Sequence, residues 1–240
     1  MFSLDSSARR SITADAENAA LDPKFTNFTK YVRRHELARF IVQYELFKRI
    51  LNVKGSIVEC GVYQGAGVMA WAKLSAMFEP YAFLRKIYGF DTFEGFPSVS
   101  AADLAGGEAV ANVGRLAPGY DVMTELGECI RTFDQSRFLS QLPKVELVKG
   151  DAMVTIPAFV EQNPHLIVSL LYLDFDLYEP TVLALKHFLP RMPKGAIVAF
   201  DELNDAKWPG ETSALLDSLD LRQHTLECLP CEPHISWITL

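Results

Sequence analysis

The sequence predicts a doubly wound α/β fold: a Rossmann-like sheet that is mostly parallel and closes with an antiparallel pair at the C-terminus. Short apolar runs of strand length alternate with segments of helical period along the chain. Five of these runs end in an acidic residue, and the first, Ser56–Gly67 (SIVECGVYQGAG), continues into a glycine-rich turn. This alternation is typical of sheets of about seven strands with helices on both faces.

The first elements along the chain are an arm, a helix and the opening strand. Residues 1–30 are polar and weakly patterned, so we expect an N-terminal arm in front of a single domain over residues 31–240. Arg33–Leu51 carries apolar residues at helical spacing and is predicted to be a helix. The apolar pair Ile57-Val58 begins the first strand, and the segment after the glycine turn is predicted to be helical to about Phe78.

The remaining strands and helices alternate to the end of the chain. Ser169–Asp174 is apolar on both faces, as expected of a central parallel strand. Thr92–Tyr120 is rich in Gly and Pro, and long loops in compact domains are usually functional, so we expect loop 92–120 to form a lid or acceptor region. The other predicted elements are strands at Lys86–Asp91, Val145–Asp151 and Ala196–Asp201, helices at Val122–Phe133, Ala158–Gln162, Pro180–Phe188 and after Trp208-Pro209-Gly210, and an antiparallel pair at Thr225–Leu229 and Ile235–Thr239.

Composition and charge narrow the class of protein. The chain has 240 residues, 49% of them hydrophobic, and no apolar run reaches the ~18 residues that span a bilayer. The net charge is −7 and the basic residues are scattered, which disfavours a nucleic-acid partner. The N-terminus lacks the apolar region of a secretory signal, and the cysteines, including Cys228 and Cys231, form no disulfide-rich pattern. We therefore expect a cytoplasmic protein that does not associate with membranes.

Acidic residues stand at the ends of all five predicted parallel strands. Ligands of open α/β sheets bind outside the carboxyl ends of the strands. One acid at such an end is an ordinary turn or cap residue. Five strand ends with acids on one rim would place negative charges close together, which is unfavourable unless a ligand or a cation binds to them. The acids are Glu59, Asp91, Asp151, Asp174 with Asp176, and Asp201 with Glu202.

The glycine turn indicates a nucleotide-type cofactor pocket, although an ordinary strand-to-helix turn has a similar sequence. Glycines let the backbone pass close to a ligand, and the helix N-terminus offers free N–H groups. The spacing of Gly61, Gly65 and Gly67 is not the G-x-G-x-x-G of dinucleotide sites, which argues against NAD and for another adenosine-bearing cofactor. Asp91 follows the last glycine by 24 residues, where an acid can accept both hydrogen bonds of a ribose diol. Asp151 would either meet the adenine edge or cap a helix.

Three carboxylates follow two strands that we expect to be neighbours at the sheet centre: Asp174, Asp201 and Glu202. A set of oxygen donors without histidine or thiol suits Mg²⁺, although two of these acids could instead cap the following helices. Asp176 lies two residues beyond Asp174. If Asp174 holds a metal, Asp176 is placed to take a proton from a hydroxyl that the metal polarises.

Three segments of the chain resemble the macrocin O-methyltransferase family. Its members are enzymes that use S-adenosylmethionine and Mg²⁺ to methylate sugar hydroxyls of natural products. The resemblance covers about residues 35–215. It is carried by Val58–Gly67, by Tyr88–Pro97 (YGFDTFEGFP) and by Leu173–Thr181 (LDFDLYEPT).

The resemblance implies a class I methyltransferase fold and a binding site for S-adenosylmethionine. Glu59 and Gly61 would contact the methionine part of the cofactor, and Asp91 would bind its ribose. The cofactor-binding residues that we expect are Glu59, Gly61, Tyr63, Gly65, Asp91, Thr92, Gly150, Asp151 and Asp174.

The resemblance also implies roles for the acids after the fourth and fifth strands. Asp174, Asp201 and Glu202 would hold Mg²⁺. Asp176 would be the general base. The pair Asp201-Glu202 differs from the two aspartates that are more frequent in the family. The stretch 98–120 and the C-terminal segment do not match the family closely, and these regions would shape the acceptor pocket.

The sequence therefore predicts an S-adenosylmethionine-dependent, Mg²⁺-assisted O-methyltransferase that acts on a hydroxyl of a sugar or of a glycosylated small molecule, as a homo-oligomer. One alternative is an enzyme with the same cofactor and metal that methylates a catechol or another phenol. A second, from a different class, is a non-catalytic S-adenosylmethionine-binding partner protein. An NAD oxidoreductase is the most distant alternative.

Overall fold

The computed structural model describes Lys24 and residues 27–106 and 111–240. Phe40–Leu240 forms one compact unit, and the described residues before Phe40 belong to a separate unit that contains a 3₁₀ turn at Phe28–Lys30. The arm predicted for residues 1–30 lies for the most part outside the described residues and stays a prediction.

Helices and strands alternate through the described residues. The strands are β1 (Ser56–Cys60), β2 (Ile87–Asp91), β3 (Val145–Lys149), β4 (Val168–Leu173), β5 (Ile197–Phe200), β6 (Glu227–Leu229) and β7 (Glu232–Thr239). The α-helices are α1 (Arg34–Ile50), α2 (Ala66–Phe78), α3 (Val122–Gln135), α4 (Ala152–Gln162), α5 (Tyr178–Phe188) and α6 (Pro209–Ser218). Further 3₁₀ turns lie at Ala101–Gly106, Leu189–Arg191 and Leu221–Gln223.

The seven described strands form one sheet in the order β3-β2-β1-β4-β5-β7-β6. β1 to β5 are parallel, and β7 is antiparallel to both β5 and β6. This topology confirms the predicted doubly wound, mostly parallel sheet with an antiparallel C-terminal pair. The strand order reverses at β1, which pairs with β2 on one side and with β4 on the other. Ligands of doubly wound sheets bind at the carboxyl ends of strands at such a reversal.

Alternate residues of the central strands face two separate hydrophobic cores. In β4, Leu170 and Tyr172 join one core, which also holds Trp71 of α2, whereas Leu171 and Leu173 join the other. Both cores are buried, because helices cover both faces of the sheet. The strand ends at the rim are therefore the places where this sheet can meet a ligand.

Two helices begin earlier than the sequence predicted. α4 starts at Ala152 and not at Ala158, because Asp151 accepts a capping hydrogen bond from the Met153 N–H at 2.9 Å and the helix continues through Pro157. α5 starts two residues before Pro180. A proline in the first turn removes an N–H that has no partner within the helix, so it does not interrupt α5. Within the described residues, no helix has the length and apolar character required to cross a membrane.

Candidate functional site

The acids predicted at the centre of the sheet lie on adjacent strand ends. The Asp174 N–H donates to the carbonyl oxygen of Cys60 at 2.7 Å, which ties the end of β4 to the end of β1. The Asp201 N–H donates to the carbonyl oxygen of Leu173 at 2.9 Å, which ties the start of the next loop to β4. The predicted strands included Asp174 and Asp201, but β4 and β5 end one residue earlier and leave these side chains in the rim loops.

The glycine turn packs directly against this rim. Gly61 has a φ of +91°, and a Cβ there would overlap the carbonyl oxygen of Asp174, so only glycine allows this approach. A Cβ at Gly67 would overlap the Glu59 carboxylate. Gly65 caps α2 in the left-handed conformation, and its missing side chain leaves room for Leu126. The turn thus brings the backbone of β1 and α2 close to the end of β4.

Glu59 points into the protein and contacts α2. Its carboxylate is buried and accepts a hydrogen bond from Trp71 Nε1 at 2.5 Å. This bond links the end of β1 to the helix that follows, which is a structural role that the sequence did not indicate. The predicted contact of Glu59 with the methionine part of a cofactor stays a prediction.

Asp91 holds the glycine turn through backbone hydrogen bonds. Its Oδ2 atom accepts from the N–H groups of Val62 and Tyr63, each at 2.8 Å, and its Oδ1 atom accepts from the Phe93 N–H at 2.6 Å. A carboxylate has about four acceptor positions, so these bonds leave capacity for a ribose hydroxyl. Tyr63 is half exposed on the turn, and Thr92 donates to the Gly95 carbonyl oxygen at 2.6 Å.

The end of β3 lies beside Asp91. The Gly150 N–H donates to the Asp91 carbonyl oxygen at 2.9 Å, and Gly150 has a φ of +136°. Asp151 caps α4 through its bond with the Met153 N–H, so the capping interpretation holds for this acid. The predicted contact of Asp151 with an adenine ring stays a prediction.

A buried group of carboxylates surrounds Asp176. Asp176 and Asp201 are buried, and Glu211, in the first turn of α6, is fully inaccessible to solvent. Burial, together with Glu202, Glu211 and Asp201, raises the pKa of Asp176 well above its usual range. Burial and Asp201 raise the pKa of Glu211 to about 8. The Tyr172 hydroxyl donates to Asp201 from within the core.

The backbone of Asp176 is left-handed. Its φ is +61°, which for a residue other than glycine costs about 1–3 kcal/mol and persists only when neighbours enforce it. The Asp176 N–H donates to Glu211 Oε1 at 3.2 Å. Two residues later, the Tyr178 N–H donates to Oδ1 of the buried Asp103 at 2.7 Å. A Cβ at Gly210 would lie 2.6 Å from both the Asp176 carbonyl oxygen and Asp103 Oδ1, so these groups approach one another closely.

Asp103 belongs to the predicted loop 92–120, which is held in place at more than one point. Phe96 pairs with the other end of the loop, since its N–H donates to the Arg115 carbonyl oxygen at 3.0 Å and its carbonyl accepts from the Gly114 N–H at 2.9 Å. The Phe96 ring also meets Trp208 edge to face, with ring centroids 6.0 Å apart. The loop therefore stands beside the carboxylate group, and its role as a lid or acceptor region stays a prediction.

The carboxylates do not form a closed metal site. In residues 27–106 and 111–240, no three Asp, Glu, His or Cys side chains are arranged as a group that could hold a metal ion. The predicted ligands Asp174, Asp201 and Glu202 nevertheless share the rim at the ends of β4 and β5.

The fold and the rim together define a methyltransferase of the Rossmann-like class. Within this class, the chain belongs to the macrocin O-methyltransferase (TylF) family, whose family model matches residues 33–214. The family that the sequence motifs indicated is therefore confirmed.

Relatives of the chain include named sugar methyltransferases. It is 30% identical over 153 residues to 8-demethyl-8-(2,3-dimethoxy-alpha-L-rhamnosyl)-tetracenomycin-C 4'-O-methyltransferase of Streptomyces olivaceus, a match that covers 63% of this chain and 54% of the relative. The chain thus matches about half the length of that curated relative.

Solved structures of high similarity cover almost the whole chain. The crystal structure of CalS11, a calicheamicin methyltransferase, has a TM-score of 0.86 and 34% identity over 99% of this chain and 95% of that one. The apo structure of CalS11, described as a TDP-rhamnose 3'-O-methyltransferase, has a TM-score of 0.77 and 31% identity over 99% and 96% of the two chains. The O-methyltransferase NovP has a TM-score of 0.64 at 19% identity, over 84% of this chain and 79% of its own, and shows the shared fold alone.

Proposed function

We propose that this protein is an S-adenosylmethionine-dependent O-methyltransferase that acts on a hydroxyl of a sugar or of a glycosylated small molecule. The observation that carries the proposal is the buried, left-handed Asp176, which lies two residues after Asp174, the residue that the glycine turn packs against, and among carboxylates that help to raise its pKa. Strained backbone and raised acid pKa values are typical of catalytic sites. Membership of the macrocin O-methyltransferase family supports the same reaction.

The residues at the ends of β1, β2 and β3 fit S-adenosylmethionine, which when bound supplies an electrophilic methyl group. The fit rests on the turn, where Gly61 excludes a side chain and Asp91 fixes the backbone of Val62 and Tyr63. We propose that the cofactor is held by Glu59, Gly61, Tyr63, Gly65, Asp91, Thr92, Gly150, Asp151 and Asp174.

Asp176 is the general base in this proposal. A general base works best when its pKa is near the operating pH, and burial among carboxylates moves Asp176 in that direction. The acceptor hydroxyl would give its proton to the Asp176 carboxylate as its oxygen forms a bond to the methyl carbon and the bond from that carbon to the sulfonium sulfur breaks, which would leave a neutral thioether. The hydrogen bonds of Asp176 and Tyr178 to Glu211 and Asp103 hold the base at a fixed position beside the rim. Orientation of this kind is a major source of rate enhancement.

We also propose that Mg²⁺ assists the reaction, with Asp174, Asp201 and Glu202 as its protein ligands. Their hard oxygen donors suit Mg²⁺, which binds through few carboxylates and keeps several waters. A bound divalent cation lowers the pKa of a coordinated hydroxyl. Burial first, and then the neighbouring Glu202, Glu211 and Asp201, raise the pKa of Asp176, and a cation would offset the repulsion among these acids.

The acceptor is proposed from the names of the relatives. The curated relative acts at a rhamnosyl group and CalS11 is named as a TDP-rhamnose methyltransferase, so a rhamnose hydroxyl is the first acceptor to test. The predicted cytoplasmic location is consistent with the free cysteines Cys60, Cys129, Cys228 and Cys231. We further propose that the protein forms a homo-oligomer and has no nucleic-acid or membrane partner.

The test is methyl transfer to TDP-rhamnose, with and without Mg²⁺. Protein, S-adenosylmethionine and TDP-rhamnose are incubated with MgCl₂ or with EDTA, and the product is analysed by mass spectrometry. We expect one added methyl group, with turnover that EDTA suppresses and MgCl₂ restores. Full turnover in EDTA contradicts the metal role.

A parallel reaction with a diphenol distinguishes a sugar acceptor from a phenol acceptor. Methylation of the diphenol alone would indicate a phenol methyltransferase. Calorimetry with S-adenosylmethionine covers the remaining possibility. Binding of the cofactor without transfer to either acceptor would indicate a non-catalytic partner protein.

A further inference from the structure

Glu211 joins two rim loops that are far apart in sequence. It lies in the first turn of α6 and is fully buried. Its Oε1 atom accepts a hydrogen bond from the Asp176 N–H and its Oε2 atom accepts one from the Glu202 N–H, each at 3.2 Å. One side chain therefore holds the backbone of the loop after β4 and the backbone of the loop after β5.

The first turn of α6 fixes backbone that would otherwise relax. Asp176 has a φ of +61° and Asn204 has a φ of +63°, and L-residues rarely adopt this conformation unless their surroundings enforce it. The Asn204 N–H donates to Thr212 Oγ1 at 2.9 Å, beside the bonds that Glu211 makes. Two neighbouring side chains of α6 thus each bind the N–H of a left-handed rim residue.

We infer that Glu211 is a positioning residue, which sets the separation and orientation of the base Asp176 and of Glu202 without touching substrate. The inference rests on the proposed function, because that function gives Asp176 and Glu202 their roles. Glu211 itself has no solvent-accessible surface, so it acts through the two N–H groups that it accepts.

A carboxyl group is the side chain that this arrangement requires. Both of its oxygens can accept a hydrogen bond, so one Glu can satisfy two N–H groups that point at it from different loops. Gln has the same size but offers one acceptor, and its amide NH₂ would face the other N–H. Asp keeps both carboxyl oxygens but is shorter by one methylene. Glu211→Gln therefore removes one bond, and Glu211→Asp tests the reach of the side chain while retaining the carboxyl group.

The experiment compares the two variants at Glu211 with the wild type and with Glu79→Gln. Glu79 is a matched control, because it also accepts hydrogen bonds, from Ser75 and Arg85, and follows α2 away from the rim. Three quantities are measured: amide hydrogen exchange at Asp176 and Glu202 by NMR, the Kd of S-adenosylmethionine by calorimetry, and kcat with TDP-rhamnose.

We expect faster exchange at one or both amides in each Glu211 variant and a fall in kcat of about 10²-fold, because misplacement of catalytic groups by about 1 Å has effects of that size. The Kd of S-adenosylmethionine should stay unchanged, and Glu79→Gln should leave exchange at both amides and kcat at wild-type values. A loss that appeared equally in Glu79→Gln would overturn the positioning role in favour of general destabilisation.

Unchanged exchange at both amides in Glu211→Gln would also overturn the inference. Full activity in Glu211→Asp would show that a carboxyl group of any reach suffices at this position, and would overturn the inference as well. The exchange measurement does not depend on turnover. If the wild type transferred no methyl group, the proposed function would fail while the amide data still tested whether Glu211 holds the two loops.

Discussion

The two ends of the sheet differ in how their charged side chains are partnered. Near the amino ends of the strands, the buried guanidinium of Arg85 donates to the Glu79 carboxylate, to Ser169 Oγ and to the carbonyl oxygens of Gly55, Ile50 and Val53. At the carboxyl ends, four carboxylates gather instead: Asp176, Asp201, Glu202 and Glu211.

The two ends therefore differ in whether a buried charge has partners of opposite polarity. A buried charge with a full set of partners is stable, whereas buried like charges destabilise the fold and shift their pKa values. The same chain pairs Arg85 with acceptors at one end and gathers acids at the other. The gathered acids therefore lower the folding stability at the rim, where the proposed catalytic site lies.

The strongest way to test this contrast is to neutralise Asp176, the proposed general base. We expect Asp176→Asn to lower kcat by about 10²–10⁴-fold, the contribution typical of a general base, while the affinity for S-adenosylmethionine stays. The same change should raise the melting temperature, because it removes a charge from a buried acidic group and Asn tolerates left-handed backbone. Single-turnover kinetics and thermal unfolding measure both effects, and retained full activity would remove the assignment of Asp176.

The opposite end should show the reverse pattern. Arg85→Met leaves the partly buried Glu79 carboxylate and several carbonyl groups without their donor, so we expect unfolding in urea to require about 3–5 kcal/mol less free energy. The folded fraction should keep wild-type kcat. Arg131→Met is the control, because Arg131 makes an exposed ion pair with Glu128 and its loss should change stability little. A comparable loss in both variants would contradict the contrast between the ends.

The pH dependence of stability should have opposite slopes for the two ends. Glu211 has a folded pKa of about 8, above its ordinary 4.5, so the folded protein binds a proton that the unfolded chain releases, and the free energy of unfolding falls between pH 4.5 and 8. Burial lowers the pKa of Lys144 from 10.5 to about 8. The unfolded chain then binds the extra proton, and stability rises between pH 8 and 10.5.

Urea unfolding across this pH range, in EDTA, measures both slopes. Glu211→Gln should reduce the acid-side slope, to which the raised pKa of Asp176 also contributes, and leave the alkaline one. Lys144→Met should flatten the alkaline slope and leave the acid-side one. If either substitution flattened both slopes, the two ends would not titrate independently.

The smallest expected effects come from two glycines. In Gly210→Ala the new Cβ would lie 2.6 Å from the Asp176 carbonyl oxygen, so we expect a loss of about 1–3 kcal/mol from overpacking and a slower reaction. Gly127 lies in α3, and a Cβ there would meet nothing within 4 Å. Gly127→Ala should therefore stabilise the protein by roughly 1 kcal/mol at most through helix propensity, without changing kcat. A stable, active Gly210→Ala would contradict the close packing around Asp176.

Much of the fold was predictable, because apolar runs and helical periods report local structure directly. The strand-end positions of Asp91, Asp174 and Asp201 followed from the same pattern, since parallel strands bring their carboxyl ends to one rim. The start of α4 was not predicted: the helix was expected over Ala158–Gln162, whereas the capping bond of Asp151 sets the start at Ala152.

The partners of the rim acids could not be predicted, because they come from distant parts of the chain. Glu59 binds Trp71, and Asp103 binds the backbone of Tyr178, 75 residues later. In the sequence, Glu211 looks like an ordinary surface acid in the first turn of a helix. A negative charge at that position interacts favourably with the helix dipole. The complete burial of Glu211 results from the packing of the folded chain and could not be predicted from the local sequence pattern.

The attachment of loop 92–120 at Asp103 and Phe96 has an evolutionary consequence. When a loop is fixed at internal points, insertions and substitutions between those points leave the fixed residues in place. Under the predicted role of the loop as an acceptor region, changes in the intervening stretches would alter the choice of acceptor in descendants of this chain while Asp176 keeps its position. Ancestral reconstruction would be expected to find drift in those stretches and constancy at Asp103.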